Sequence, residues 1–169
     1  GGKSTHIQSL MPGGSLLVSN EVIRSRAAVL KNNMIKWGGD NVVVTCNDPR
    51  DFASLGHFFD VIVVDAPCSG SGLFRRDASA MEEWSEANVQ LCSQRQQRIL
   101  ADVWPALKPG GLLVYSTCSY SLDEDERIAD WLVNELKAAY RPLQLQPEWG
   151  IADTGKGYRF WPDQVKGEG

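Results

Sequence analysis

The sequence predicts an α/β domain, a largely parallel sheet with helices on both faces. Three observations carry that prediction. Short apolar or β-branched runs alternate with amphipathic stretches along most of the 169 residues, and strands that alternate with helices form parallel sheets which the helices cover. The run FDVIVVD at 59–65 is apolar on both faces, as buried parallel strands are. Acidic and thiol residues fall just after successive strand candidates, at Glu21, Asp48, Asp65 and Cys118. Ligands of such sheets bind at the carboxyl ends of the strands.

The elements follow in order. Gly1-Gly2-Lys3 opens a short helix to about Met11, stopped by Pro12-Gly13-Gly14. Residues 15–19 (SLLVS) form a short strand. Residues 21–37 are helical, since Ile23, Ala27, Leu30 and Met34 recur at helical spacing, and Gly38-Gly39-Asp40 ends them. Residues 41–46 (NVVVTC) are β-branched and strand-like. A polar loop at 47–56 leads to the strand at 59–65, and a long loop rich in Gly, Ser and Arg follows at 66–79. Ser85 caps a helix running to about Leu107, with Leu91, Ile99, Val103 and Leu107 on its buried side. Residues 108–111 (KPGG) make a sharp turn into a strand at 112–116. Residues 122–139 form an acidic-started helix, with Asp123, Glu124 and Glu126 placed for its N-terminal dipole. One more strand is expected at 142–147.

Composition narrows the function classes. Hydrophobic residues are 43% and charged residues 22%, the profile of a globular rather than a disordered chain. No apolar run reaches the ~18 residues of a membrane span, and the start GGKSTHIQ has neither the basic leader nor the apolar core of a signal peptide. The formal net charge is −4. A dedicated nucleic-acid binder is usually basic, so a nucleic-acid role rests on local patches or on segments outside this chain. The cysteines at 46, 68, 92 and 118 show no C-x-x-C pair, and reduced thiols in a cytoplasmic protein are the default. His6 and His57 join no metal constellation.

Several motifs leave more than one reading. Gly1-Gly2-Lys3-Ser4-Thr5 reads as the tail of a phosphate-binding loop, with Asp65 then holding magnesium, as a glycine turn approaching a nucleoside cofactor, or as a plain strand-to-helix turn. An acidic residue about 20 positions after a glycine turn often takes ribose hydroxyls. Glu21 sits there, and reads equally as a solvated carboxylate at a helix start. Asp48 before Pro49 reads also as a turn residue. The run Asp65-Ala66-Pro67-Cys68-Ser69-Gly70-Ser71-Gly72 is more specific. Pro67 stiffens the backbone and the glycines let a ligand come close. Ser116-Thr117-Cys118-Ser119 ends the next strand. A buried apolar filler is the ordinary fate of a cysteine, but two cysteines at the ends of successive strands break that habit. Placing Cys118 just before a helix N-terminus would favour its thiolate. Arg75, Arg76, Arg95 and Arg98 could contact phosphates or form a solvated face, and Trp84, Trp104 and Trp131 read as core.

At these motifs the chain resembles the RNA cytosine-5 methyltransferases of the Sun/RsmB/RsmF family, over nearly its whole length. GGKST resembles the end of the family's cofactor loop, NEVIRSR with Glu21 its ribose-binding segment, and CNDPR with Asp48 its adenine-side acidic segment. DAPCSGSG and STCS resemble the two family signatures. GLFRRD and YRFWP at 158–162 look closest to the bacterial RsmF-like branch, which acts on small-subunit ribosomal RNA. The resemblance implies a Rossmann-like class I methyltransferase sheet. It implies S-adenosylmethionine as cofactor and RNA as partner, ribosomal first and transfer RNA second. It implies Cys118 as the nucleophile on cytosine carbon 6, which makes carbon 5 reactive. Asp65 would hold the base edge near ring nitrogen 3 and also border the cofactor, and Cys68 would assist proton removal and release. Lys3 would line the site, and Gly1, Gly2, Lys3, Glu21 and Asp48 would hold the cofactor. The target base must be unstacked, so single-stranded or loop RNA is expected.

Against that family pattern, residues 1–169 read as part of a catalytic domain. The family's first strand and start of its glycine loop would precede Gly1, a last strand would follow the chain, and auxiliary RNA-binding domains would lie outside it. A fragment of that kind is expected to be inactive alone, because the missing strand would break backbone pairing on both sides. Two other readings stand beside the first: a P-loop nucleoside triphosphatase built on GGKST and VIVVD, and a non-catalytic RNA-binding relative. The second of these leaves Cys118, Cys68 and Asp65 without a purpose.

Overall fold

The computed structural model describes residues 1–166. It divides the chain into two units, Gly1–Phe52 and Ala53–Gly169.

The first unit holds α1 (Gly2–Leu10), β1 (Leu17–Asn20), α2 (Arg24–Trp37) and β2 (Val42–Thr45). β1 and β2 pair in parallel, from Leu17 opposite Val42 to Asn20 opposite Thr45. The helix α2 buries Ala27, Leu30 and Met34, the stripe expected from their spacing. It starts three residues later than expected. Ile23 is extended, and its N–H donates to the Glu21 carboxylate at 3.1 Å, so the polar residue at the entry folds back on the chain instead of joining the helix. The helix stops where Gly38 takes a left-handed φ of 85° and donates its N–H to Met34, a conformation open to glycine without penalty.

The second unit holds β3 (Phe59–Asp65), α3 (Ser79–Glu83), α4 (Glu86–Val103), β4 (Leu107–Ser116) and α5 (Glu126–Leu136), then a small antiparallel pair, β5 (Ala152–Asp153) and β6 (Tyr158–Arg159). β3 and β4 are parallel, with Val61 opposite Leu112 and Asp65 opposite Ser116. The KPGG segment is part of β4, as an irregularity rather than a separate turn. Phe59 pairs with Leu107, and the register then jumps to Leu112. Gly110 supports the jump with a φ of 74°.

Side chains alternate across a strand, and the two faces of β3–β4 differ. Val64 joins Ala66, Leu100, Ile128 and Leu132 in the core, with Ile62, Leu113, Tyr115 and Trp131 packed around them. Val61, Val63 and Val114 are exposed. The expectation that 59–65 is buried on both faces is therefore corrected: this strand buries one.

Three further expectations shift. Ser85 caps α4 through the Asn88 N–H at 3.1 Å, as read. The helix ends at Val103, however, and Leu107 opens β4. The buried face of α4 is Val89, Cys92, Ser93, Gln96 and Leu100, while Leu91 is exposed. Ile99 and Val103 pack against the core as expected, and the buried stripe also takes in polar Ser93 and Gln96. The last long helix is shorter than 122–139. It begins at Glu126, after turns at 122–125, and ends where Lys137 turns left-handed at φ 60°. Residues 142–146 form no strand. Prolines 142 and 147 bring no N–H to a ladder, and the Leu143 N–H goes to the Tyr158 hydroxyl instead.

Candidate active site

In the second unit, β3 and β4 end level, at Asp65 and Ser116. The ladder extends one bond further, from the Ala66 N–H to the Ser116 carbonyl at 2.9 Å. Cys68 follows one strand end and Cys118 the other, so the level ends bring the two thiols together. Their sulfurs are 2.9 Å apart. The Cys118 N–H points at the Cys68 sulfur, at 3.3 Å, and the Gly72 N–H donates to the Cys118 carbonyl at 2.7 Å. The loop reverses at Gly70, whose φ of 80° suits glycine. Both cysteines are half-buried, and neither forms a disulfide. The hydrogen bond to Cys118, and burial after it, push the Cys68 thiol far above its ordinary range. Asp65 is exposed at its strand end, with the Ser116 hydroxyl 3.5 Å from its carboxylate.

One sequence argument about Cys118 fails. The helix expected to start just after it, α5, starts at Glu126, and a helix dipole acts within its first turn. The dipole therefore gives no support to a Cys118 thiolate.

The segment between Cys118 and α5 carries one fully buried acid and one half-buried acid instead. Glu124 is fully buried. Its Oε1 accepts the Ser69 N–H at 2.8 Å and the Gln96 amide at 3.1 Å. Its Oε2 accepts the hydroxyls of Ser69 and of Ser119, the latter at 2.6 Å. Gln96 also donates to the Pro67 carbonyl at 2.9 Å. Asp125 accepts the Thr117 hydroxyl at 2.6 Å. Burial raises the Asp125 carboxyl to about 6, against the opposing pull of Thr117 and Arg159. Arg159, on β6, lies 2.9 Å from Asp125 and pairs with Glu126. The guanidinium stands 5.6 Å over the Trp161 ring, and Tyr120 stacks on Trp161 with centroids 5.2 Å apart. The hairpin that bears YRFWP thus fastens to the Cys118 loop.

The first unit carries the other expected residues. Glu21 and Asp48 follow β1 and β2, two paired parallel strands, and so share one sheet edge. Asn20 laces that edge. Its side-chain oxygen accepts the Thr45 hydroxyl and the Asn47 N–H, both at 2.9 Å, and its amide donates to the Asn47 carbonyl. Glu21 pairs with Arg26 at 3.1 Å. Asp48 accepts the Arg50 N–H at 3.2 Å. Gly1 is the N-cap of α1, which starts with Gly2 and Lys3. Ser4 bonds Ser19 at 2.8 Å, which brings the start of α1 to the same strand end.

Among the other candidates, Arg75 donates to the Pro162 carbonyl at 2.8 Å, and Arg98 lies 3.9 Å from Asp102. Arg76 and Arg95 are exposed. Trp131 packs on the core, as read, whereas Trp84 is 37% exposed and is no core residue. The residues that sequence reasoning missed are Asn20, Gln96, Glu124, Asp125 and Arg159. Gln96 left a signal, a polar residue in helical register with Val89, Cys92 and Leu100. Glu124 was noticed as a dipole acid, but nothing local says that it is buried.

Parallel strands with acids after one pair and contacting thiols after another define an α/β domain of methyltransferase type. The comparisons agree. The family model for 16S rRNA methyltransferase RsmB/F matches residues 1–169. Ribosomal RNA small subunit methyltransferase F from Aeromonas hydrophila is 39% identical over the whole chain, and the chain covers 37% of that relative. The protein of that name from Enterobacter is 39% identical over 94% of the chain, which covers 34% of it. Among solved structures, PH0851 superposes with a TM-score of 0.75 at 29% identity, over 79% of this chain and 31% of that one. NSun6 from Pyrococcus horikoshii, solved with SFG, gives 0.70 at 28% identity, over 80% of this chain and 34% of that one. This chain belongs to the 16S rRNA methyltransferase RsmB/F family and spans about a third of the length of these relatives. None of these matches supports the P-loop reading of GGKST.

Proposed function

We propose that the protein carrying this chain transfers a methyl group from S-adenosylmethionine to carbon 5 of a cytosine in RNA, through a covalent bond between Cys118 and the base. The observation that carries this is the contact of Cys68 with Cys118 at the level ends of two paired strands. The RNA is that of the small ribosomal subunit, by likeness to relatives of that name.

The residues present fit the cofactor. Its ribose hydroxyls and adenine amine are donors, and the Asn20-laced edge offers two carboxylates, Glu21 and Asp48, which only accept. Glu21 would take the ribose and Asp48 the adenine side, with Gly1, Gly2 and Lys3 at the start of α1. The likeness to NSun6, solved with SFG, an S-adenosylmethionine analogue, supports this. When bound, S-adenosylmethionine supplies an electrophilic methyl group to carbon 5.

The chain's own residues do the rest. The Cys118 thiolate adds to carbon 6, and the carbon 5–carbon 6 pair moves into the ring, leaving carbon 5 nucleophilic. Asp65 steadies the charge that develops toward ring nitrogen 3. After methylation carbon 5 still bears its proton. Solvent water takes that proton, assisted by Cys68, the thiol nearest Cys118; the double bond re-forms and the carbon–sulfur bond breaks, freeing Cys118 as the thiolate. Small-subunit ribosomal RNA incubated with the intact protein and methyl-labelled S-adenosylmethionine tests this. Label on carbon 5 of a cytosine is expected; label elsewhere, or on transfer RNA alone, contradicts the reading.

A further inference from the structure

We propose that Glu124 is a positioning residue that sets the spacing of the two thiols, by holding the residue after each cysteine on one buried carboxylate. The proposal rests on the thiol chemistry just given. Ser69 follows Cys68 and Ser119 follows Cys118. Both hydroxyls meet on Glu124 Oε2, and the Ser69 N–H and Gln96 amide meet on Oε1. The two loops are 50 residues apart in sequence, as the Cys68–Cys118 contact itself is. They hang from separate strands, so strand pairing alone fixes only their roots.

The clamp is built rather than incidental. Glu124 and Gln96 are both completely buried, and Ser69, Ser71 and Ser119 nearly so. Burying a carboxylate is costly unless hydrogen bonds replace its water, and here four donors do. Gln96 ties the carboxylate to Pro67, the residue before Cys68. The Tyr115 hydroxyl holds the Glu124 carbonyl at 2.7 Å, and Ser93 holds the Asp123 carbonyl at 2.9 Å. The carboxylate therefore has a fixed origin on β4 and α4, and both cysteine loops are measured from it. Glu124 acts on the thiols through Ser69 and Ser119, the residues it holds.

Thiol spacing can be read without any methylation. Phenylarsine oxide binds two neighbouring thiols at once and shields both from alkylation. In the intact wild-type protein it is expected to protect Cys68 and Cys118 together. Glu124→Asp keeps the charge but is one methylene shorter and cannot reach both loops. It is expected to weaken arsenical binding by at least about tenfold, and to lower kcat for methyl transfer about a hundredfold, the cost of a misplacement near 1 Å. KM for RNA stays unchanged, and Glu124→Gln, of native length, restores part of the loss. If Glu124→Asp does not fold, Ser119→Ala, which takes the Ser119 hydroxyl off the carboxylate and leaves Ser69 and Gln96 on it, is measured in its place with the same expectation. A folded variant with wild-type arsenical binding and wild-type kcat overturns the proposal, and so does a wild-type protein whose thiols the arsenical does not bridge. Weakened arsenical binding in a protein whose methylation survives Cys118→Ala would instead keep the clamp and sink the covalent mechanism.

Discussion

Cys118 donates its backbone N–H toward the Cys68 sulfur while its own sulfur lies 2.9 Å from that atom. The two residues therefore meet twice, and the state of one thiol depends on the other. Sulfurs this close cannot both ionise, since like charges in contact disfavour each other. Cys68 is the one whose thiol is pushed up, chiefly by Cys118.

Removing Cys118 should therefore release Cys68. In Cys118→Ala the onset of Cys68 alkylation by iodoacetamide is expected at lower pH than in the wild type, read residue by residue by mass spectrometry. An unchanged Cys68 profile would mean that burial alone governs this thiol.

The acidic edge of the first unit should govern cofactor binding and not RNA binding. Glu21→Ala removes a charged acceptor, a loss of about 2 kcal/mol, or roughly 30-fold in affinity for S-adenosylmethionine. Calorimetry on the intact protein checks this, with RNA affinity as the control. Asn20→Ala is expected to act in the same direction, because Asn20 holds the ends of β1 and β2 together.

Asp125 should make stability depend on pH in an unusual direction. Its carboxyl is raised from the ordinary 3.8 to about 6, with burial the main cause. Between those values the folded state binds more protons than the unfolded state, so this group's contribution is full below about 3.8 and is lost as pH rises through about 6. Glu126 is shifted the opposite way, so the difference between wild type and Asp125→Asn is the clean measure. Urea denaturation at several pH values should show the wild type losing stability relative to Asp125→Asn from pH 4 to pH 7. A constant difference would contradict the assignment.

Arg159 ties β6 to the residues that enter α5. It is 8% exposed and faces both Asp125 and Glu126. Arg159→Met leaves two acids unpaired, and breaking a buried pair costs about 3–5 kcal/mol. Leu100→Ala, in the centre of the core, should cost about 2–5 kcal/mol. Only the first is expected also to slow methyl transfer disproportionately, because it loosens the Cys118 loop through Asp125 and Trp161. Equal effects on activity at matched stability would contradict that link.

The four parallel strands were legible because hydrophobic pattern and turn residues agree, whereas the small pair β5–β6 was not, and the strand expected at 142–147 does not form. The run at 59–65 was read to the residue, as was the Ser85 cap. The reading failed where polar residues are buried. The buried stripe of α4 takes in Ser93 and Gln96, polar positions that apolar counting passed over, and Glu124 looked like a surface acid at a helix start. Each is held by partners that lie far off in sequence, Glu124 by Ser69 at a separation of 55 residues. No local pattern records such a partner. The expected exit helix after Cys118 failed for the same reason, since residues 119–125 bond to other loops and to each other rather than to a helix. The strand-end positions of Glu21, Asp48, Asp65, Cys68 and Cys118 were legible, because strand ends and motif residues coincide in the sequence.

The most direct test of the central claim is a trapped adduct. The intact protein and its Cys68→Ala and Cys68→Ala/Cys118→Ala variants would be incubated with small-subunit ribosomal RNA and S-adenosylmethionine, then run on a denaturing gel. Cys68→Ala should accumulate a covalent protein–RNA band, because release is blocked after Cys118 has added to the base. The double variant should show none. A band that survives loss of Cys118, or robust methylation by Cys118→Ala without any band, would contradict the account.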